Sequence, residues 1–301
     1  MKTALAWLKA SRVASQTYIF LPLLFGQAYF VSQGGKLDWY VLVLAHLFGL
    51  FNQLYIVYAN DYADIEADRL NMTFNIFSGG SRVLIDGDLR PVQLKNATLV
   101  MVGLNLLCGI ALIVFYHRWL ALPLIMAGIV LLWMYSYPPF KLSYRGGGEL
   151  LQIVGVGVVL PLLGYYAQAG KLIGFSWLLF LTILPTQLAC AMATSLPDEP
   201  SDRLANKQTA SVLLGSHATK LAVIGLNFIS ILVFPWVAWL EPGDDRVWLV
   251  LAVPILANAI LCFFNKSQPG SLTLTIFNFF AVLVTLSLMC GMTVAAFSMS
   301  S

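Results

Sequence analysis

The sequence predicts an all-α integral membrane protein with nine transmembrane helices, and three observations carry that prediction. The 301 residues are 59% hydrophobic and only 10% charged, where a soluble domain carries about 25% charged residues, and the mean hydropathy is +0.81. Nine apolar runs have the length of a membrane helix, which needs about 20 residues. The lysines and arginines are also distributed unequally over the connections between those runs, as the positive-inside rule expects.

The first run, 13–31, follows Lys2, Lys9 and Arg12. It is long and no small-residue cleavage site follows it, so it reads as a retained span and not a signal peptide. The second, 40–60, begins after Lys36 and Trp39 and ends in the acidic stretch "NDYADIEAD". Runs 97–116 and 119–136 are separated only by His117 and Arg118; the second is the shortest, and Pro138 and Pro139 stop it. The fifth, 150–168, follows three glycines at 146–148, which permit either a tight interhelical turn or a close backbone approach to a ligand. The sixth, 174–195, ends in a second acidic stretch, "LPDEPSDRLANKQT". Runs 219–240, 247–264 and 272–297 complete a single polytopic domain over 1–301.

With nine spans, thirteen of the seventeen lysines and arginines fall on one side and four on the other. The rich side, with the N-terminus, is then cytoplasmic and the C-terminus is outside. Trp39, Trp119 and Trp248 lie near span ends, where interfacial tryptophans belong. The outer connections are short (32–39, 117–118, 169–173, 241–246), whereas two cytoplasmic ones, 61–96 and 196–218, are long. Long ordered loops usually carry function. Cys108, Cys190, Cys262 and Cys290 all fall inside apolar runs without CxxC spacing, which reads as buried small hydrophobes and excludes a zinc or disulfide framework. No basic stripe points to nucleic acid.

The two acidic stretches hold seven of the fourteen carboxylates. Read as a continuing helix at about 100° per residue, residues 60–68 put Asn60, Asp64, Asp68 and Asp61 within an arc of about 100° and Glu66 on the opposite side. Gln53 extends that polar stripe into the apolar run. Aspartates spaced i,i+3 and i,i+4 repel one another, and they sit at a helix C-terminus, where the dipole opposes them. A plain solvated helix end does not account for that placement; a bound cation does, and hard oxygen ligands suit Mg²⁺. Asp198 and Asp202 repeat the i,i+4 spacing at the end of the sixth span, on the same side of the membrane. Two facing aspartate pairs fit metal ions that clamp a diphosphate. Arg82, Lys141, Arg145, Arg203 and Lys207 are the cations on hand to balance it, and apolar walls suit a long hydrocarbon tail. The combination points to electrophilic chemistry on a prenyl diphosphate.

These residues resemble a known pattern. "NDYADIEAD" fits the N-D-x-x-D-x-x-x-D motif, and "DEPSDRLANK" the second D-x-x-x-D motif with its trailing lysine, of the UbiA superfamily of intramembrane aromatic prenyltransferases. The resemblance covers essentially the whole chain. It implies a helical bundle around a central cavity that opens sideways to lipid, capped on the cytoplasmic side by loops 2–3 and 6–7. It implies that Asn60, Asp61, Asp64, Asp68, Asp198 and Asp202 hold Mg²⁺ and a prenyl diphosphate. Arg12, Arg82, Lys141, Tyr144, Arg145 and Lys207 are further substrate-binding candidates. It implies ionisation to an allylic cation that an aromatic acceptor attacks. "SGGSRVL" before "LRP", "YSYPPFKLSYRGGGELLQ" and "DRLANKQT" are most similar to the 1,4-dihydroxy-2-naphthoate branch, although Gly147 stands where that branch has leucine and Asn206 where it has glycine. The alternatives are a terpene cyclase on the same scaffold, another acceptor such as 4-hydroxybenzoate, and a transporter.

Overall fold

The apolar runs form helices in the structure, a computed structural model that describes residues 2–240 and 250–298, and no strand occurs among the described residues. Arg246, Trp248 and the connection 241–246 lie outside the described residues. The helices are α1 (Lys2–Ala10), α2 (Thr17–Ser32), α3 (Trp39–Ala63), α4 (Ile65–Leu70), α5 (Pro91–Tyr116), α6 (Ala121–Ser136), α7 (Gly148–Ala169), α8 (Phe180–Ser195), α9 (Glu199–Leu204), α10 (Ala210–Leu214), α11 (Ser216–Leu240), α12 (Ala252–Phe263) and α13 (Leu272–Ser298).

Among the described residues, six helical stretches are long and apolar enough to cross a membrane: Trp39–Ala63, Pro91–Tyr116, Gly148–Ala169, Trp177–Leu204, Ser216–Val237 and Leu272–Phe297. The other three apolar runs give shorter helices. α2 has 16 residues because the start of its run is spent on a 3₁₀ turn, Val13–Gln16, which follows Arg12 in the left-handed region. α6, also of 16 residues, ends before the prolines. α12 has 12 residues.

Local chemistry sets the helix ends. The Asp38 side chain caps α3 by accepting from the N–H groups of Tyr40 (2.9 Å) and Val41 (3.1 Å). Pro91 opens α5, where its missing N–H costs nothing. Within α7, residues Val154–Val159 widen to a π-helix just before Pro161, which has no N–H to continue the regular ladder. Such a widened turn re-aims side chains, and Gly155, Val156 and Val159 border a cavity.

α3 packs on α5, α2 on the second half of α7, and α8 on α11, while α13 joins α2, α8 and α12. The α2–α7 crossing depends on a glycine from each helix. A Cβ on Gly26 would lie 2.1 Å from the Pro161 carbonyl oxygen, and one on Gly164 would lie 2.2 Å from that of Leu23. Small residues at such contacts let backbones close on each other where lipid supplies no hydrophobic drive. Two of the larger apolar cores join these helices. One joins Ile19, Phe48, Ile125 and Leu163; the other joins Phe25, Ile183, Phe234 and Leu288.

Candidate active site

Both acidic stretches converge at one end of the bundle, and the first of them does not continue as a single helix. α3 stops at Ala63, Asp64 leaves the helical region (φ −98, ψ 12), and α4 begins anew at Ile65. The break lets Asp61 and Asp64 each meet partners of its own, while Asp68 still feels the repulsion expected of aspartates on one stripe. Asp61, buried, pairs with Arg12 Nη2 and accepts from the Ser81 hydroxyl and the Ser81 N–H (3.2 Å). Asp64, buried, pairs with Lys207 Nζ at 2.8 Å and accepts from the Tyr144 hydroxyl at 3.2 Å. Asp68 faces Gly80, and no cation lies at ion-pair distance from it among the described residues. Glu66 points to solvent beside Arg69, as its place on the far side of the stripe predicts.

The second stretch arrives from α8 through a 3₁₀ turn, Leu196–Asp198, into α9. Asp198 accepts from Asn71 Nδ2 (2.6 Å) and from the Gly79 N–H (3.3 Å). Asp202 accepts from Thr209 Oγ1 (3.1 Å) and lies 3.9 Å from Lys207 Nζ. The "SGGS" segment, 78–81, therefore touches both acidic stretches, reaching Asp198 through Gly79 and Asp61 through Ser81. Glu149 closes the ring by accepting from the Ala210 N–H at 2.7 Å, which ties the start of α7 to the segment carrying Lys207 and Thr209.

These groups surround a polar chamber of ≈150 Å³ with five carboxylates (Asp64, Asp68, Glu149, Asp198 and Asp202) and two cations, Arg12 and Lys207. The excess of negative charge is visible in proton affinities. Burial, then Asp64 and Asp61, push the Asp68 carboxyl up from 3.8 to about 7, with Arg12 pulling the other way. Burial opposes the charge of Lys207, but Asp64, Tyr135 and Asp202 outweigh it and hold its pKa well above the usual lysine range. Burial likewise opposes the Arg12 charge and is outweighed by Asp61 and Asp68. Burial beside Asp64 keeps the Tyr144 hydroxyl protonated.

A second, apolar chamber of ≈250 Å³ lies deeper in the bundle. The two chambers share Arg12, Asn60, Phe77, Tyr135, Gln152 and Thr194 as a common rim. A molecule with an anionic head and a hydrocarbon tail fits across that rim, head among the carboxylates and cations, tail among the side chains of α2, α3, α6 and α7.

A family model settles the lineage: that of the UbiA prenyltransferase family matches residues 19–284. The chain belongs to the UbiA prenyltransferase family. This UbiA protein is therefore a prenyltransferase and an integral membrane protein. It is 25% identical over 264 residues to the 1,4-dihydroxy-2-naphthoate octaprenyltransferase of Bacillus subtilis, covering 86% of this chain and 82% of that one. It is 29% identical over 215 residues to the enzyme of the same name from Mycobacterium tuberculosis, covering 66% and 68%. Its fold is similar to a UbiA homolog from Archaeoglobus fulgidus whose structure is bound to GPP and Mg²⁺, with a TM-score of 0.69 at 15% identity over 97% of this chain and 99% of that one.

The UbiA chamber fits a hard divalent cation by its donor set. The five carboxylates that border it are oxygen donors, they outnumber the two cations, and Asp68 faces the chamber with no cation at ion-pair distance among the described residues. Among the described residues no three acidic, histidine or cysteine side chains converge on one point.

Of the residues singled out in the sequence, Arg12, Asn60, Asp64, Asp68, Asp198, Asp202 and Lys207 border the polar chamber, and Asp61 and Tyr144 touch those that do. Arg82, Lys141 and Arg145 do not border it. Arg82 stacks on the Phe74 ring (4.2 Å) and reaches the Asp68 and Asn71 carbonyls. Lys141 lies 3.7 Å from the Tyr144 ring centroid, and Arg145 is exposed. Sequence reasoning missed Asn71, Phe77, Glu149 and Gln152. Only "SGGSRVL" and "GGGELLQ" marked their neighbourhoods, both for their likeness to the naphthoate branch and the second also for its glycines.

Proposed function

We propose that this UbiA enzyme transfers a prenyl group, in a Mg²⁺-dependent reaction, from a prenyl diphosphate to 1,4-dihydroxy-2-naphthoate or a similar aromatic quinone precursor. One observation carries the reading: a polar chamber walled by two acidic stretches opens through a shared rim into an apolar chamber. The names of the relatives support the acceptor class. Asp61, Asp64, Asp68, Asp198 and Asp202 are the residues that hold the metal, with Asn60, Arg12, Lys207 and Tyr144 around the diphosphate. Mg²⁺, when bound, neutralises the diphosphate and makes it a better leaving group.

The protein's own part is orientation and charge. Lys207 and Arg12 present fixed cations to the diphosphate oxygens as the carbon–oxygen bond breaks and its electron pair leaves with the phosphate. Phe77 and Tyr135 border the rim, where their rings are placed to stabilise the allylic cation left behind. The apolar walls keep water from that cation until a ring carbon bonds to it and the ring loses the proton or substituent it displaces. The thirteen-to-four distribution of basic residues supports nine spans, with the N-terminus and the acidic chamber on the cytoplasmic side and the C-terminus outside.

The test is product analysis by mass spectrometry with purified enzyme, Mg²⁺, prenyl diphosphates of several lengths and a panel of acceptors that includes 4-hydroxybenzoate. Wild type is expected to prenylate the naphthoate, and Asp64→Asn and Asp198→Asn to be inactive while still folded. Full activity in both variants, or release of a cyclic hydrocarbon without any acceptor, overturns the reading.

A further inference from the structure

One polar group deep in the apolar chamber has nothing to bind. Asn52, on α3, is 4% exposed, and its Oδ1 is buried without a hydrogen-bond partner among the described residues. It borders the apolar chamber beside Phe48, Ile56 and Leu131. Its neighbour Gln53 is different, because that amide donates to Ser15 Oγ at 2.6 Å. Facing Asn52 from α6 is Gly128. A Cβ there would lie 3.7 Å from Asn52 Oδ1 and meet nothing else within 4 Å among the described residues. The glycine thus leaves a gap the size of a methyl group directly against the amide.

A buried carboxamide without a partner destabilises a fold, and native proteins satisfy nearly all such groups. Its position on a cavity wall identifies the missing partner as a ligand. A prenyl tail is hydrocarbon and offers no hydrogen bond. An aromatic acceptor carries hydroxyl groups on a flat ring; such an O–H can donate to Asn52 Oδ1, and that substituent, about the size of a methyl group, fits the gap that Gly128 leaves. Asn52 precedes Asn60 by eight residues, about 12 Å along the helix, so a ring held there lies on the far side of the rim from the carboxylates. We propose that Asn52 is a specificity-determining residue whose Oδ1 accepts a hydrogen bond from a hydroxyl substituent of the aromatic acceptor, with Gly128 making room for that edge of the ring. The inference rests on the prenyl-transfer reading and adds to it the group that orients the acceptor.

Steady-state kinetics of Asn52→Leu, with each substrate varied in turn, test it. The acceptor KM should rise about tenfold, the loss of one hydrogen bond of about 1.4 kcal/mol, while the prenyl diphosphate KM stays within about twofold and the melting temperature is equal or higher, since an unpaired amide has gone. An acceptor whose ring oxygen is methylated should bind wild type worse than the parent but bind the variant no worse. Gly128→Ala places a methyl group in the gap and supplies an independent variant, with the same selective rise in acceptor KM expected. An unchanged acceptor KM in both variants, or an equal rise in both KM values, overturns the proposal while leaving prenyl transfer intact. A gain in affinity for long prenyl diphosphates in Asn52→Leu also overturns it, because the tail then occupies this wall. Wild type that prenylates no acceptor overturns this inference and the functional reading together.

Discussion

Replacing Gly80 by alanine perturbs the candidate active site through a single methyl group. Gly80 has φ +69, and a Cβ there would lie 2.2 Å from Asp68 Oδ2 and 3.0 Å from its Cγ. Ordinary contact begins at roughly 3.5 Å, so the carboxylate must retreat by about 1 Å. Displacements of that size at a reacting centre cost about 10²-fold in rate. The substitution also carries a backbone cost of about 1–2 kcal/mol, because alanine disfavours the left-handed region. Gly87 separates the two effects. It lies in the same connection with φ +73, and a Cβ there meets nothing within 4 Å among the described residues. Gly80→Ala and Gly87→Ala should therefore lower the melting temperature alike. Only Gly80→Ala should lower kcat/KM for prenyl transfer, by about 10²-fold, and it should raise the Mg²⁺ concentration needed for half-maximal rate. Activity of Gly80→Ala within about threefold of wild type, or an equal loss in Gly87→Ala, refutes the reasoning that Asp68 is held in place by the absence of that methyl group.

Two other consequences follow from the same charges. Lys207 and Asp64 are a buried pair at 2.8 Å, and stripping one partner from such a pair costs about 3–5 kcal/mol. Lys207→Met should melt well below wild type, Lys207→Met with Asp64→Asn should recover much of that loss without recovering activity, and a wild-type melting curve for the single variant contradicts the pairing. Asp68 keeps its proton in the folded, metal-free protein up to pH about 7, whereas an unfolded aspartate loses it near 3.8. Its contribution to metal-free stability therefore falls as pH rises between those values. Magnesium binding runs the other way, because it needs the carboxylates: burial pushes Asp202 up to about 7 as well, so affinity should weaken as pH falls below 7 and level off above it, with up to about two protons released per binding event at pH 6. Calorimetric titration in buffers of different ionisation enthalpy measures both, and an affinity flat from pH 6 to 8 contradicts the assignment of Asp68.

The membrane class, the nine apolar runs and the two acidic stretches were legible in the sequence because each is a local pattern: apolar length, charge asymmetry, and carboxylates spaced by three and four. The repulsion within "NDYADIEAD" was also legible, but its resolution was not. A continuing helix keeps Asp61, Asp64 and Asp68 on one stripe, whereas the chain breaks at Asp64 and hands Asp61 to Arg12 and Ser81, and Asp64 to Lys207 and Tyr144. Those partners lie 49, 20, 143 and 80 residues away in the chain.

Basic residues show the same divide. Arg12, Arg82, Lys141, Arg145 and Lys207 looked equivalent as candidates, since a positive charge near an acidic stretch carries no direction. Folding sends Arg12 and Lys207 into the polar chamber, lays Arg82 on Phe74 and Lys141 over Tyr144, and leaves Arg145 in solvent. Asn52 and Glu149 carry no local signal at all, one an amide inside an apolar run and the other a single acid after three glycines. The sequence by itself determined which chemistry the chain can carry, because hydropathy and motif spacing are properties of neighbours along the backbone. Only the tertiary structure decided which charges meet, which glycine must stay small and which unpartnered amide lies on a chamber wall, because those depend on contacts between helices that the order of residues does not state.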